Sequence, residues 1–175
     1  TKIKEYQNQN YRVGESEYLL LEACEYRGAF QNISPNILVI TNIEAEHLDY
    51  FKTEENYYQN FKTLIERLPE TSIIIYREED KKAKELAKNA KAQTIEVPKQ
   101  KQIALNVPGD FNQENATLAL ALCKQLNIPE ENALMALAKF SGTWRRMEYK
   151  KLKNLEIQFI DDYAHHPTEV KATLK

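Results

Sequence analysis

The sequence predicts an α/β fold in which helices flank a mostly parallel sheet. Two short apolar runs, at residues 18–23 (YLLLEA) and 37–43 (ILVITNI), have the composition of strands that are buried on both faces. Residues 54–68 follow them, and their apolar side chains recur on one helical face. Strands that alternate with helices in this way indicate parallel pairing with right-handed crossovers.

The remaining elements are predicted from the same periods and from boundary residues. Thr53 is a suitable N-cap for the first helix, and Pro69 ends it. Pro129 suits the first turn of a later helix. Further strands are predicted at residues 72–76, 94–97 and 103–107, and further helices at residues 79–90, 112–126 and 129–139.

A second unit is predicted after Ser141–Gly142–Thr143, which has the composition of a linker. The predicted elements of this unit are strands at residues 148–151 and 156–161 around a turn at Lys153–Asn154, and a helix at residues 163–175. We therefore expect residues 1–142 to form one domain and residues 143–175 to begin another.

The composition argues against several classes of protein. The 175 residues include 24 basic and 26 acidic side chains, so no basic surface for nucleic acid is indicated. Cys24 and Cys123 lie far apart and do not suggest a disulfide framework. Since there is no signal peptide and no long apolar run, we expect a cytoplasmic protein without a membrane partner. The four glycines are scattered and form no phosphate-binding loop.

Glu22 and His47 are candidates for a metal site. In parallel sheets, ligands bind outside the carboxyl ends of the strands, and residues 22–25 and 42–49 follow two predicted strands. Carboxylates suit Mg²⁺, and the imidazole of His47 could bind the metal or orient a phosphate. The alternative is that these charges only mark strand ends and that His47 is an ordinary surface histidine.

Three further groups could bind a nucleotide or a substrate. Asn112 and Asn115 share a helix face and could read an adenine edge, although Asn112 could equally cap the helix. Arg145 and Arg146 could clamp a phosphate, or they could be two surface arginines. Residues 161–167 (DDYAHHP) form a denser polar run than a capping turn alone requires.

Five segments together resemble the Mur ligases, and most of all the members that join L-alanine to UDP-N-acetylmuramate. The resemblance extends from about residue 15 to the end of the chain, and its most specific part is the last segment. These segments are EACEYR (22–27), TNIEAEHLDYF (41–51), PGDFNQEN (108–115), FSGTWRRMEY (140–149) and DDYAHHPTEVKATL (161–174).

The resemblance implies a domain organisation and a reaction. Residues 1–142 correspond to the family's central ATPase domain without its phosphate loop, and residues 143–175 to the beginning of its C-terminal domain. The cofactors implied are ATP and Mg²⁺, and the reaction is an amide ligation through an acyl phosphate in peptidoglycan precursor synthesis. The phosphate loop of the family lies upstream of Thr1, so this fragment is expected to be inactive alone.

The resemblance also implies roles for individual residues. Glu22 and His47 are expected to hold Mg²⁺, and His47 and Arg146 to be catalytic. Phe111 stands where the family usually has His, and its ring could still stack on adenine. The other expected contacts are Asn112 and Asn115 with adenine, Arg145 and Arg146 with the ATP phosphates, Asp162 with the ribose, and Tyr163, His165 and His166 with the substrate.

Two other functions remain open at this stage. A murein peptide ligase, which joins a tripeptide to the same sugar nucleotide, has a similar segment at the position of residues 161–168. A non-catalytic module that binds a nucleotide or a partner is the alternative from another class of protein. The phosphate loop distinguishes the enzyme from such a module.

Overall fold

The computed structural model describes residues 2–99, 102–151 and 157–175. Its centre is a parallel sheet of three strands, in the order β1 (Ile37–Ile40), β2 (Ile73–Arg77) and β3 (Gln93–Val97). All three strands are rich in β-branched residues, which fit the pleated surface of a sheet. The predicted α/β class with a parallel sheet is therefore confirmed.

Six α-helices occur in the described residues. α1 is a single turn, whereas α2 and α4 are the longest helices. Thr53 caps α2 as predicted, since its side chain accepts a hydrogen bond from the backbone N–H of Asn56 at 3.2 Å. The helices are α1 (Leu48–Phe51), α2 (Glu54–Arg67), α3 (Lys81–Ala87), α4 (Asp110–Gln125), α5 (Glu130–Lys139) and α6 (Pro167–Thr173).

The core lies on both faces of β2. Ile74 belongs to a cluster that includes Ile65 from α2 and Leu86 from α3, whereas Ile75 packs with Leu118 from α4. Successive side chains of a strand point to opposite faces, so helices must cover both sides of the sheet. This packing gives three layers and leaves the carboxyl ends of the strands free for the loops that follow them.

Two predicted strands are absent. Residues 18–23 have no regular secondary structure, and Leu19 and Leu20 are 88% and 84% exposed. A strand that is apolar on both faces is stable only when other elements pack against each face. Among the described residues, no element packs against residues 18–23 in this way. Residues 103–107 also form no strand, because the side-chain amide of Gln113 bonds both the N–H (2.8 Å) and the C=O (2.9 Å) of Ile103.

The C-terminal part begins with an antiparallel pair, β4 (Glu148–Lys151) and β5 (Gln158–Asp161), as predicted. The turn predicted at Lys153–Asn154 lies outside the described residues. The last helix is shorter than predicted, because His166 is its N-cap and Pro167 occupies its first turn. The division into domains at residue 142 stays a prediction. None of the helices in the described part of the chain has the length and hydropathy that a membrane span requires.

Candidate functional site

His47 lies in the loop that connects β1 to α1, at the carboxyl edge of the sheet. Its backbone adopts the left-handed conformation (φ 55°, ψ 40°), which costs roughly 1–2 kcal/mol for a residue other than glycine. Asp80 holds the loop in place, because its two oxygens accept hydrogen bonds from Ile43 N (3.1 Å) and from Ala83 N in α3 (2.9 Å). Arg77 adds a hydrogen bond to the carbonyl of Thr41 at 3.2 Å. These hydrogen bonds hold the backbone of the loop in one position and so set the direction of its side chains.

Glu25, Glu46 and His47 form a cluster of possible metal ligands. One ligand atom from each residue lies within 4.8 Å of the others, and all three residues are half-buried. Nε2 of His47 is 3.3 Å from Oε1 of Glu25. Two carboxylates and an imidazole are a suitable donor set for a divalent cation that keeps further positions for water or phosphate oxygens.

Aromatic side chains surround the cluster. The ring of Tyr26 packs against His47 at 4.9 Å between centroids, and Tyr50 packs against Tyr26 at 5.8 Å. Burial raises the pKa of Tyr57, and the negative charges of Glu25 and Glu46 raise it further. The hydroxyl of Tyr57 therefore stays protonated beside the two carboxylates.

The acidic segment EACEYR contributes Glu25 to the cluster. Glu22 lies in the exposed residues that precede it and is not one of the three clustered ligands. A short 3₁₀ segment, Tyr26–Asn32, bends the chain with left-handed backbone at Arg27 and Gly28 directly after Glu25. The sequence contains both glutamates, but only this bend shows which one meets His47. The role of Glu22 as a metal ligand stays a prediction.

Two predicted substrate residues, His165 and His166, lie beside the same loop. Nε2 of His165 is 2.9 Å from Oε1 of Glu46, and Nδ1 of His166 is 3.8 Å from Oε1 of Glu44. The backbone carbonyl of Tyr163, and then Glu46, raises the pKa of His165. The structure thus joins the segment predicted to face the substrate to the loop predicted to hold the metal.

Of the predicted phosphate-binding and ribose-binding residues, Arg145 and Asp162 have local side-chain partners. Nε of Arg145 donates to Oδ1 of Asp161 at 3.2 Å, and its guanidinium lies over the ring of Tyr163 at 5.1 Å. Arg146 is exposed. The two oxygens of Asp162 accept hydrogen bonds from the backbone N–H groups of Met147 and Ala164, each at 2.7 Å. The phosphate and ribose contacts stay predictions.

The predicted adenine residues begin α4. The side-chain amide of Asn112 donates to the carbonyl of Pro108 at 2.5 Å, and Asn115 is exposed. The ring of Phe111 packs against Gly109. A Cβ added at Gly109 would lie 2.7 Å from this ring. Gly109 also has φ +99°, so the turn before α4 requires glycine for two reasons. The adenine contact itself stays a prediction.

Comparison with known proteins shows related sequences. A family model described as the Mur ligase middle domain matches residues 5–102. The UDP-N-acetylmuramate–L-alanine ligase of Clostridium perfringens is 36% identical in an alignment that covers 94% of this chain and 42% of that protein. The ligase of the same name from Clostridium tetani is 35% identical and covers 95% of this chain and 42% of that protein. The chain thus spans less than half the length of these relatives.

Solved structures have the same architecture. UDP-N-acetylmuramate-alanine ligase MurC from Thermotoga maritima matches with a TM-score of 0.65 and 26% identity, over 84% of this chain and 39% of that one. MurF from Acinetobacter baumannii matches with a TM-score of 0.65 and 20% identity, over 79% of this chain and 36% of that one. The second likeness concerns the fold alone.

Proposed function

Because this chain belongs to the Mur ligase family, we propose that it forms part of an ATP-dependent ligase that joins L-alanine to UDP-N-acetylmuramate in peptidoglycan precursor synthesis. The observation that carries the proposal is the Glu25–Glu46–His47 cluster at the carboxyl edge of a parallel sheet. Relatives that carry this enzyme's name, and that match almost the whole of this chain, support the choice of substrates.

The proposed reaction has two steps. An oxygen of the substrate carboxylate attacks the γ-phosphorus of ATP and releases ADP, which leaves an acyl phosphate. The amine of L-alanine then attacks the acyl carbon, and inorganic phosphate leaves. No covalent bond to the protein forms, so this chain contributes through positioning and charge.

The positive charge that offsets the charge of the phosphate oxygens would lie beside His47. A Mg²⁺ ion, when bound, neutralises charge on the phosphate oxygens. Glu25, Glu46 and His47 have the donor atoms to hold it. Glu22 is proposed as a further ligand in the complete ligase. Guanidinium groups stabilise transferring phosphoryl groups.

The remaining proposed contacts follow the family resemblance. Arg145 and Arg146 would bind the ATP phosphates, and Asp162 the ribose. Asn112 and Asn115 would lie near adenine. Tyr163, His165 and His166 would face the substrate. The position of His165 beside Glu46 supports this arrangement, because it brings the substrate segment to the metal loop.

The test uses the complete ligase and measures phosphate release that depends on ATP, UDP-N-acetylmuramate and L-alanine. His47→Ala should lower kcat at least about 100-fold, as should Glu22→Ala and Glu25→Ala. Glu70→Gln is the matched control, since Glu70 is exposed outside the site. Normal turnover with His47→Ala would remove the metal site from the mechanism. If the wild-type protein turns over a tripeptide in place of L-alanine, it is a murein peptide ligase. If the wild-type protein turns over neither substrate, it is a binding module.

A further inference from the structure

The loop residues 44–47 make contacts in two directions. On one side, Glu46 and His47 complete the metal-ligand cluster with Glu25. Toward the C-terminal segment, Oε1 of Glu46 is 2.9 Å from Nε2 of His165. Glu44, which is outside the cluster, accepts a hydrogen bond from the hydroxyl of Thr168 at 2.6 Å. The loop thus joins two parts of the chain that are 119 to 124 positions apart.

The C-terminal side of this contact is held in shape by its own hydrogen bonds. Oε2 of Glu169 accepts from the backbone N–H groups of His165 (3.2 Å) and His166 (3.3 Å). Nδ1 of His165 lies 3.1 Å from the carbonyl oxygen of Tyr163. A segment that is already ordered loses little entropy when it docks, so a few hydrogen bonds can decide its position.

We infer that Glu44 is a positioning residue that docks residues 165–168 onto the loop carrying His47. The short bond from the Thr168 hydroxyl to a carboxylate is charge-assisted, and such bonds are stronger than neutral ones. Unlike Glu46, Glu44 holds the segment with a carboxylate that lies outside the metal cluster. Docking therefore brings His165 to the metal loop. This inference deepens the proposed ligase function and rests on it.

The first experiment measures docking in the complete ligase by hydrogen exchange of the backbone amides in residues 163–174. Glu44→Ala and Thr168→Val should each raise the exchange rate about 3- to 10-fold, as expected for the loss of one hydrogen bond. The double variant should exchange no faster than Glu44→Ala alone, because Glu44→Ala already removes the bond to Thr168 together with the contact to His166. Thr168→Ser keeps the hydroxyl and should behave as the wild type.

The second experiment separates positioning from general stability. Glu44→Ala should lower kcat and leave the KM for ATP and the thermal unfolding of the enzyme unchanged. Unchanged exchange in Glu44→Ala, or additive effects in the double variant, would overturn the positioning role. The exchange readout requires no ligase activity, so this failure is distinct from a failure of the proposed reaction.

Discussion

The imidazole of His47 and the carboxylate of Glu25 meet at 3.3 Å, although they belong to separate loops. Each loop is bent by left-handed backbone, at His47 itself and at Arg27 and Gly28 after Glu25. Proteins retain such conformations when the surrounding contacts determine them, and they cluster at functional sites. The pair therefore marks the place where a cation is expected.

Cation binding should depend on this pair in the chain as described. Mn²⁺ can replace Mg²⁺ as a probe, and its free concentration is measured by electron paramagnetic resonance. Glu25→Gln and His47→Ala should each raise the Kd for Mn²⁺ at least about 10-fold, because each removes a donor atom. Glu70→Gln is the matched control, since Glu70 is exposed outside the site. Equal losses in Glu22→Gln and Glu25→Gln would show that the exposed segment also reaches the ion.

Two leucines should differ widely in their contribution to the free energy of unfolding. Leu64 in α2 is 1% exposed, so Leu64→Ala should cost about 2–5 kcal/mol. Leu20 is 84% exposed, and Leu20→Ala should change the stability of this chain by less than about 0.5 kcal/mol. Urea denaturation of both variants provides the measurement. A large loss in Leu20→Ala would mean that residues 18–23 are buried in solution.

The turn before α4 should require glycine. Gly109→Ala would place a Cβ against the ring of Phe111 and would force a left-handed conformation. Together these effects should destabilise the protein by about 2–4 kcal/mol in thermal or urea unfolding. Adding Phe111→Leu should recover the part that comes from the ring contact and leave the backbone part. Full recovery in the double variant would contradict the backbone argument.

The β4–β5 pair should lose stability in acid. The hydrogen bond from Lys150 lowers the pKa of Asp161, and Arg145 lowers it further. A carboxylate whose pKa is lowered by folding contributes stability above its unfolded pKa, and this stability is lost as the pH falls through the folded pKa. The protection factors of the backbone amides in β4 and β5, which correct exchange rates for their intrinsic dependence on pH, should therefore fall below about pH 4.

Asp161→Asn provides the control for this prediction. It should remove most of the acid dependence, and carbon NMR of the Asp161 carboxyl in the wild type should give its pKa directly. A pKa at or above the value of an unfolded aspartate would refute the proposed cause.

Much of the fold could be predicted because it depends on local patterns. The strand at Ile73–Arg77 is a run of β-branched residues, and α2 is bounded by a capping Thr53 and a terminating Pro69. These signals act within a few residues. Residues 103–107 were wrongly predicted as a strand because a side chain, Gln113, bonds the backbone there, and no local period reveals such a partner.

The sequence by itself determined the family, the α/β class and the residue types available for chemistry, because these depend on composition, period and motif. Only the tertiary structure decided that Glu25 meets His47, and that Glu44 and Glu46 meet Thr168 and His165. The reason is physical: ion pairs and hydrogen bonds depend on distances of a few ångströms, and long-range folding sets those distances between residues that are far apart in the chain.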